Sequence, residues 1–213
     1  MNKPDSTPAA VRRLSLYLRQ LEASLAEGQV TVSSRQLGES LGLSGAQVRK
    51  DLACFGQFGH AGIGYRVAEL VQEIRRILGM DKPANVLLVG VGNLGRALIS
   101  FRGFSRYGFE IVAAFDNDPA KIGQRVPPGG DLYVQALSEM DDAVTSKSIR
   151  LGILTVPASS AQNAAEEMVE AGLRAILNFA PVNLQLGSRA VVSSVDIGVH
   201  LAQLSFLMNG AGY

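Results

Sequence analysis

The stretch Asn85-Val86-Leu87-Leu88-Val89-Gly90-Val91-Gly92-Asn93-Leu94-Gly95 decides the fold of this chain. Its first half is an unbroken apolar run, the pattern of a strand buried on both faces. Its second half is G-x-G-x-x-G, followed by helical spacing. Alone, such a run is a common glycine turn; between a strand and a helix it opens a βαβ unit. A second apolar strand, 109–116, ends at Asp116, 21 residues after Gly95. Gly90 permits the tight turn, Gly92 lets the backbone approach a pyrophosphate, and Gly95 lets helix and strand pack closely. The helix N-terminus faces the phosphate charge. Asp116 is placed to accept hydrogen bonds from ribose hydroxyls; its charge repels a 2′-phosphate and no arginine adjoins it, which favours NAD(H). The candidate cofactor residues of this unit are therefore Gly90, Val91, Gly92, Asn93, Leu94, Gly95, the adjoining Arg96, and Asp116. The competing reading is a glycine turn with a helix-capping Asp116 and no ligand.

Toward the C-terminus, further apolar strands are expected at 131–134, 149–156, 174–180 and 190–196. Helical stretches near 93–103, 136–146 and 158–172 separate them. Strands alternating with helices predict an α/β fold with a parallel, Rossmann-type sheet covered on both faces. The last stretch, 197–209, places Ile197, Leu201, Leu204 and Met208 on one helical face, which has to pack on something.

Toward the N-terminus the pattern is helical. Thr7-Pro8 offers a cap and a first-turn proline, and Val11, Leu14, Leu18, Leu21 and Leu25 form one stripe that ends at Gly28. Ser33 with Gln36 and Ser44 with Gln47 have capping-box spacing. A short helix, a turn at Gly42 and a second helix therefore occupy roughly 33–55, a helix-turn-helix. With Val48, Leu52 and Phe55 turned inward, the outer face of the second helix is centred on Lys50. Ala46 and Ala53 beside it allow close approach to a surface, and Gln47 and Arg49 flank it, able to read base edges. The glycine-rich stretch 56–66 is expected to be a tight hairpin, a wing ending in Tyr65-Arg66. Ser44, Ala46, Gln47, Arg49, Lys50, Tyr65 and Arg66 are the candidate DNA contacts. A solvated charged face on an ordinary helical domain is the alternative. A further amphipathic helix carries Leu70, Val71, Ile74, Ile77 and Leu78 to a boundary at 79–83.

Composition narrows the remaining classes. At 213 residues, 47% hydrophobic and 18% charged, the chain builds its own core. A single cysteine, Cys54, excludes an internal disulfide and the usual multi-cysteine zinc site; no metal is expected. Cys54 reads as a small buried thiol, His200 as a polar-face or interfacial residue, and His60 has no partner in its hairpin. No acid/base pair is left for an enzyme, so no catalytic residue is expected. Residues 1–80 hold ten basic against seven acidic side chains, and the remainder ten against twelve, so phosphate contact is expected in the N-terminal part. Neither a secretory signal nor a membrane span is read, and a cytoplasmic setting is expected.

Taken together these motifs resemble the redox-sensing transcriptional repressors of the Rex family. The resemblance is carried by Gln47-Val48-Arg49-Lys50-Asp51-Leu52, Phe55-Gly56, Gly62-Ile63-Gly64-Tyr65, the glycine loop, and Phe115-Asp116-Asn117-Asp118-Pro119. It continues through Leu154-Thr155-Val156-Pro157, Ala161-Gln162, Ile176 to Val182, and Val195-Asp196. It implies a winged-helix domain over 1–80, a Rossmann NAD(H)-binding domain over 81–196, and a dimerisation helix over 197–213 exchanged between two subunits. It implies a homodimer that binds double-stranded operator DNA, senses NADH and NAD⁺, and is released by NADH. Arg19 matches the family's first-helix arginine. Family members often carry a tyrosine where Phe101 stands, its hydroxyl engaging the aspartate that matches Asp196; Phe101 cannot make that contact. NAD⁺ and NADH differ at the nicotinamide ring, so the discriminating groups are expected among Phe101, Val156-Pro157, Phe179-Ala180-Pro181, Asp196 and Ile197. Two alternatives stay open: a small NAD-dependent oxidoreductase and a coenzyme A-type nucleotide module.

Overall fold

The computed structural model describes residues 8–60, 62–127 and 129–210. Two compact units divide between Lys82 and Pro83.

The first unit runs α1 (Pro8–Ala26), β1 (Thr31–Val32), α2 (Ser34–Glu39), α3 (Gly45–Ala53), β2 (Tyr65–Arg66) and α4 (Val67–Ile77). Pro8 opens α1; Thr7, the expected cap, lies outside the described residues. The buried stripe of α1 is Ala10, Leu14, Tyr17, Leu18, Leu21 and Ser24, while Val11 and Leu25 are exposed. The helix is rotated from the expected face because Tyr17 turns inward, where its hydroxyl donates to Asp51 Oδ2 at 2.7 Å. Ser33 makes its complete capping box with Gln36. Ser44 caps α3 through the Gln47 amide at 3.1 Å, but the Gln47 side chain does not return to the cap; it donates to Asp51 Oδ1 instead. The turn between α2 and α3 is tight: a Cβ at Gly38 would stand 2.5 Å from the Leu43 carbonyl oxygen.

The wing departs from expectation. β2 pairs antiparallel with β1, Thr31 opposite Arg66 and Val32 opposite Tyr65, so its strand partner comes from before the helix-turn-helix. Within the glycine-rich stretch itself the described residues show only the His60–Gly64 bridge. Strand alternation turns Val32 and Tyr65 inward and Thr31 and Arg66 outward. Tyr65, expected to touch DNA, is a core side chain packed with residues of α1 and α4. Cys54, expected buried, is exposed, because α3 ends at Ala53 and the thiol turns back to donate to the Lys50 carbonyl at 3.3 Å.

The second unit contains β3 (Ala84–Val89), α5 (Asn93–Ile99), α6 (Gly103–Arg106), β4 (Phe109–Asp116), β5 (Val134–Ala136), α7 (Met140–Ser146), β6 (Leu151–Leu154), α8 (Ala158–Glu170), β7 (Ala175–Asn178), β8 (Val191–Ser194) and α9 (Ile197–Gly210). The six strands are parallel in the order β5-β4-β3-β6-β7-β8. Leu87, Val89, Ala113 and Phe115 face the core under α7 and α8, and Val86, Leu88 and Ala114 face the opposite core with Leu98 and Phe104. The helix expected over 93–103 breaks into α5 and α6. The strand expected at 131–134 joins the six-stranded sheet only from Val134, while Tyr133 bridges Arg125 instead.

No helix interrupts the described connection from β7 to β8. An apolar groove of about 380 Å³ remains on that part of the sheet, lined by Phe104, Phe109, Leu151, Ile153, Leu177 and Val191 among others. The terminal helix α9 is also uncovered. Its apolar side chains do not form the single expected face: Ile197, Val199, Leu201, Leu204, Phe206, Leu207 and Met208 are all exposed. A helix that is apolar all round is stable in water only when something covers it. Among the described residues no helix is long and apolar enough to cross a membrane.

Candidate functional site

From β3 the chain runs outward through β4 to β5 on one side and then crosses to β6 on the other, so the strand order reverses between β3 and β6 and a crevice opens beyond the strand ends there. It forms a cavity of about 790 Å³, within the range of small-molecule sites. Gly90, Gly92, Leu94, Asp116, Val156, Pro157 and Phe179 line it. Gly90 has φ +97°, and a Cβ on it would stand 2.8 Å from the Thr155 backbone. A Cβ on Gly95 would fall inside contact distance of the Gly90 carbonyl oxygen, so α5 can approach the strand only as glycine. At Gly92 a Cβ would meet no protein atom within 4 Å, which leaves that backbone open toward the cavity.

Two residues not singled out as site candidates hold this geometry. Thr155 donates its hydroxyl to the Gly90 carbonyl at 2.7 Å, joining the end of β6 to the glycine loop. Lys121 donates to Asp116 Oδ2 at 2.9 Å and lines the cavity. Asp116 also accepts from the Val91 amide on Oδ2 and the Asp118 amide on Oδ1. Burial pushes the Asp116 carboxyl up, but the Lys121 bond, the two amides and the Lys121 charge outweigh it and hold the group below its ordinary value. Lys121 stands five residues beyond Asp116 in a turn, where no periodicity marked it. Asn117, Asp118, Ser159, Ser160, Asn163 and Glu167 complete the polar lining.

The other cofactor candidates are arranged around this cavity rather than on it. The Val91 side chain is fully buried, Gly95 is buried under the loop, Asn93 is exposed at the start of α5, and Arg96 donates to Gln124 at 3.0 Å. Ala180 and Pro181 follow β7 in a loop fastened by buried Asn178, whose amide bonds the Ala180 and Val182 carbonyls. Phe101 sits in the bend between α5 and α6, edge-on to Phe104 at 5.2 Å between centroids. It lines a separate cavity of about 190 Å³ that shares no residue with the larger one. Asp196 caps α9, accepting the Val199 amide at 3.1 Å, and Ile197 opens that helix with its side chain exposed. Arg19 is exposed on α1, in the other unit.

In the first unit, Ala46, Arg49 and Lys50 are exposed on α3, and Gln47 is half-buried at its flank. Arg49 donates to Ser34 on α2 at 2.8 Å, and Arg66 reaches Glu69 at 3.4 Å. Beneath this face, Asp51 is 2% exposed and accepts from Arg13, Tyr17 and Gln47. Burial pushes its carboxyl up, but those hydrogen bonds and the Arg13 charge outweigh it and hold it below the usual carboxylate range. A depressed carboxyl stabilises the fold above its unfolded value, about 4, and loses that contribution as pH falls through the folded value. Asp51→Ala should therefore destabilise this unit by about 3–5 kcal/mol at neutral pH, leaving Arg13 unpaired, with the gap closing below about pH 4. Hydrogen exchange of α1 and α3 amides across pH 3–7 measures this; a gap independent of pH contradicts it.

Two family models match the chain. One, described as "CoA binding domain", covers residues 81–182, and one described as "Putative DNA-binding protein N-terminus" covers 7–53. The redox-sensing transcriptional repressor Rex of Syntrophobacter fumaroxidans is 43% identical over 93% of both chains. That of Chloroflexus aggregans is 45% identical over 98% of this chain and 97% of its own.

The chain belongs to the Rex family of redox-sensing transcriptional repressors.

Solved Rex structures agree in fold. The repressor RSP in complex with beta-NAD⁺ and operator DNA is 35% identical and superposes with a TM-score of 0.90, covering 96% of this chain and 93% of that one. RSP in complex with beta-NADH is 33% identical, with a TM-score of 0.84 over 96% and 95%. Rex proteins are repressors and not enzymes, which places the cavity described above in a regulator.

Proposed function

We propose that this Rex protein binds operator DNA as a homodimer, represses transcription, and is released when NADH occupies the switch-point cavity. The observation that carries the reading is the union in one chain of a helix-turn-helix with exposed Lys50 and a glycine-loop cavity with Asp116 at its edge. Residues 1–80 hold DNA, 81–196 hold the dinucleotide, and 197–213 join two subunits.

The glycine loop takes the pyrophosphate and Asp116 with Lys121 takes the adjacent ribose. Val156, Pro157 and Phe179 give the far side an apolar wall that favours the uncharged dihydronicotinamide over the nicotinamide cation. The all-round apolar α9 and the open apolar groove on the sheet are two surfaces that a second copy would cover together. A change in how two such subunits are held alters the spacing of their α3 helices, which has to match one DNA turn.

A second reading has one observation behind it, the match to a coenzyme A-binding model. Titration of NADH by its own fluorescence, in competition with coenzyme A and NADPH, separates them. NADH should bind and coenzyme A should not displace it. Asp116→Ala should weaken NADH roughly tenfold to a hundredfold, as loss of a charged acceptor does, and narrow the preference over NADPH. Displacement of NADH by coenzyme A, or an unchanged preference in the variant, overturns the assignment.

A further inference from the structure

Asp51 is a buried carboxylate on the inner side of α3, and four donor atoms converge on it. Arg13 Nε and the Tyr17 hydroxyl bond Oδ2 at 2.5 and 2.7 Å; Arg13 Nη2 and Gln47 Nε2 bond Oδ1, both at 2.7 Å. An ionised carboxylate only accepts. Gln47, one helical turn before Asp51, therefore has to turn its NH₂ group inward. Its Oε1 has no partner among the described residues, and the side chain is partly exposed on the flank of the α3 face that carries Lys50.

We propose that Asp51 sets the hydrogen-bond polarity of Gln47, so that Gln47 presents its carbonyl oxygen to the major groove and selects bases that carry an amino group there. Those bases are adenine and cytosine; guanine and thymine offer acceptors at the corresponding edge. Asp51 touches no DNA in this scheme. It is a positioning residue that determines specificity through its neighbour, with Arg13 and Tyr17 keeping it charged and oriented. The proposal rests on the reading of α3 as the DNA-contacting helix.

Reversing the polarity is the test. In Asp51→Asn, Arg13 Nε and the Tyr17 hydroxyl both demand an acceptor at the Oδ2 position, so the asparagine oxygen stays there. Its amide nitrogen then replaces Oδ1, so Arg13 Nη2 loses its acceptor there and Gln47 has to turn its carbonyl inward and its NH₂ outward. The wild-type protein, free of NADH, is used to select binding sites from a random duplex library. The selected site is then varied through all four base pairs at each position, at one salt concentration, for wild type, Gln47→Ala and Asp51→Asn.

One half-site position should prefer adenine or cytosine by roughly fivefold or more in wild type. Gln47→Ala should abolish that preference, and Asp51→Asn should move it to guanine or thymine, with NADH affinity unchanged in both. A base analogue lacking the amino group at that position should weaken wild type but not Gln47→Ala, an arm that does not depend on Asp51→Asn folding. If Gln47→Ala leaves every preference intact, or wild type ignores loss of the amino group, the proposal is overturned. It is equally overturned if Asp51→Asn folds and keeps the wild-type preference. A wild-type protein that selects no sequence defeats the DNA-binding reading itself, whereas selection without a Gln47-dependent position defeats only this inference.

Discussion

Gly95→Ala is expected to abolish NADH binding and to destabilise the second unit by about 1–3 kcal/mol, the cost of forcing a methyl group into a packed interior. The added Cβ would sit against the Gly90 carbonyl oxygen, with Thr155 Oγ1 3.1 Å away. Neither neighbour is the free end of a flexible chain. The carbonyl belongs to the glycine turn, and the hydroxyl is held by its bonds to Val89 and Gly90. α5 has to move away from β3, and the loop whose amides face the cavity moves with it. Gly92→Ala is the contrast, because its Cβ would stand in open space. That variant should keep wild-type thermal stability and still bind NADH more weakly, since the methyl occupies room the pyrophosphate needs. Thermal unfolding and NADH titration of the two variants side by side check both halves. Wild-type binding in Gly95→Ala contradicts the account of the loop.

The double substitution Leu204→Asp with Phe206→Asp should have the larger effect on DNA. Both side chains are exposed on α9, more than half of each open to solvent in the single chain, so the carboxylates meet no internal cost. In a dimer that covers α9 each would be a buried unpaired charge, and association should fail. Sedimentation should show a monomer whose second unit still unfolds cooperatively, at a lower temperature because the stabilisation by the partner is lost. Operator affinity should fall by about a hundredfold to ten-thousandfold, because a monomer loses the linkage between two half-sites. A variant that stays dimeric with full operator affinity shows that α9 is not the interface.

What could be read ahead of the structure follows from how local each signal is. The unit β3–α5–β4 was legible because its apolar strand, glycine loop and Asp116 lie within one short run, and each constrains the others. β4 spans the expected residues 109–116. The helix-turn-helix was legible for the same reason, since Ser33, Gln36 and Ser44 mark its helix starts. Contacts distant in sequence were not legible. Tyr17 turns inward because Asp51, 34 residues away, offers it an acceptor, and that rotates α1 away from the Val11–Leu25 stripe. β1 is two residues long, too short for alternation to show, so nothing in the local pattern marks the strand that pairs with Tyr65 and turns its side chain into the core. Lys121 bears on Asp116 only because the turn after β4 folds back. On α9 the spacing of Ile197, Leu201, Leu204 and Met208 suggested one face, while Val199, Phe206 and Leu207 extend the apolar surface around the helix.

The central claim is that occupancy of the cavity by NADH, and not by NAD⁺, governs DNA binding. A ligand shifts a two-state equilibrium only through its different affinity for the two states, so the two nucleotides have to differ in their effect at saturation. The direct measurement is operator binding by the wild-type protein, followed by fluorescence anisotropy, with each nucleotide added separately to saturation. NADH should release the DNA, NAD⁺ alone should leave it bound, and NAD⁺ added with NADH should shift the release to higher NADH. Equal effects of the two nucleotides at saturation would contradict the account, even if both bound tightly.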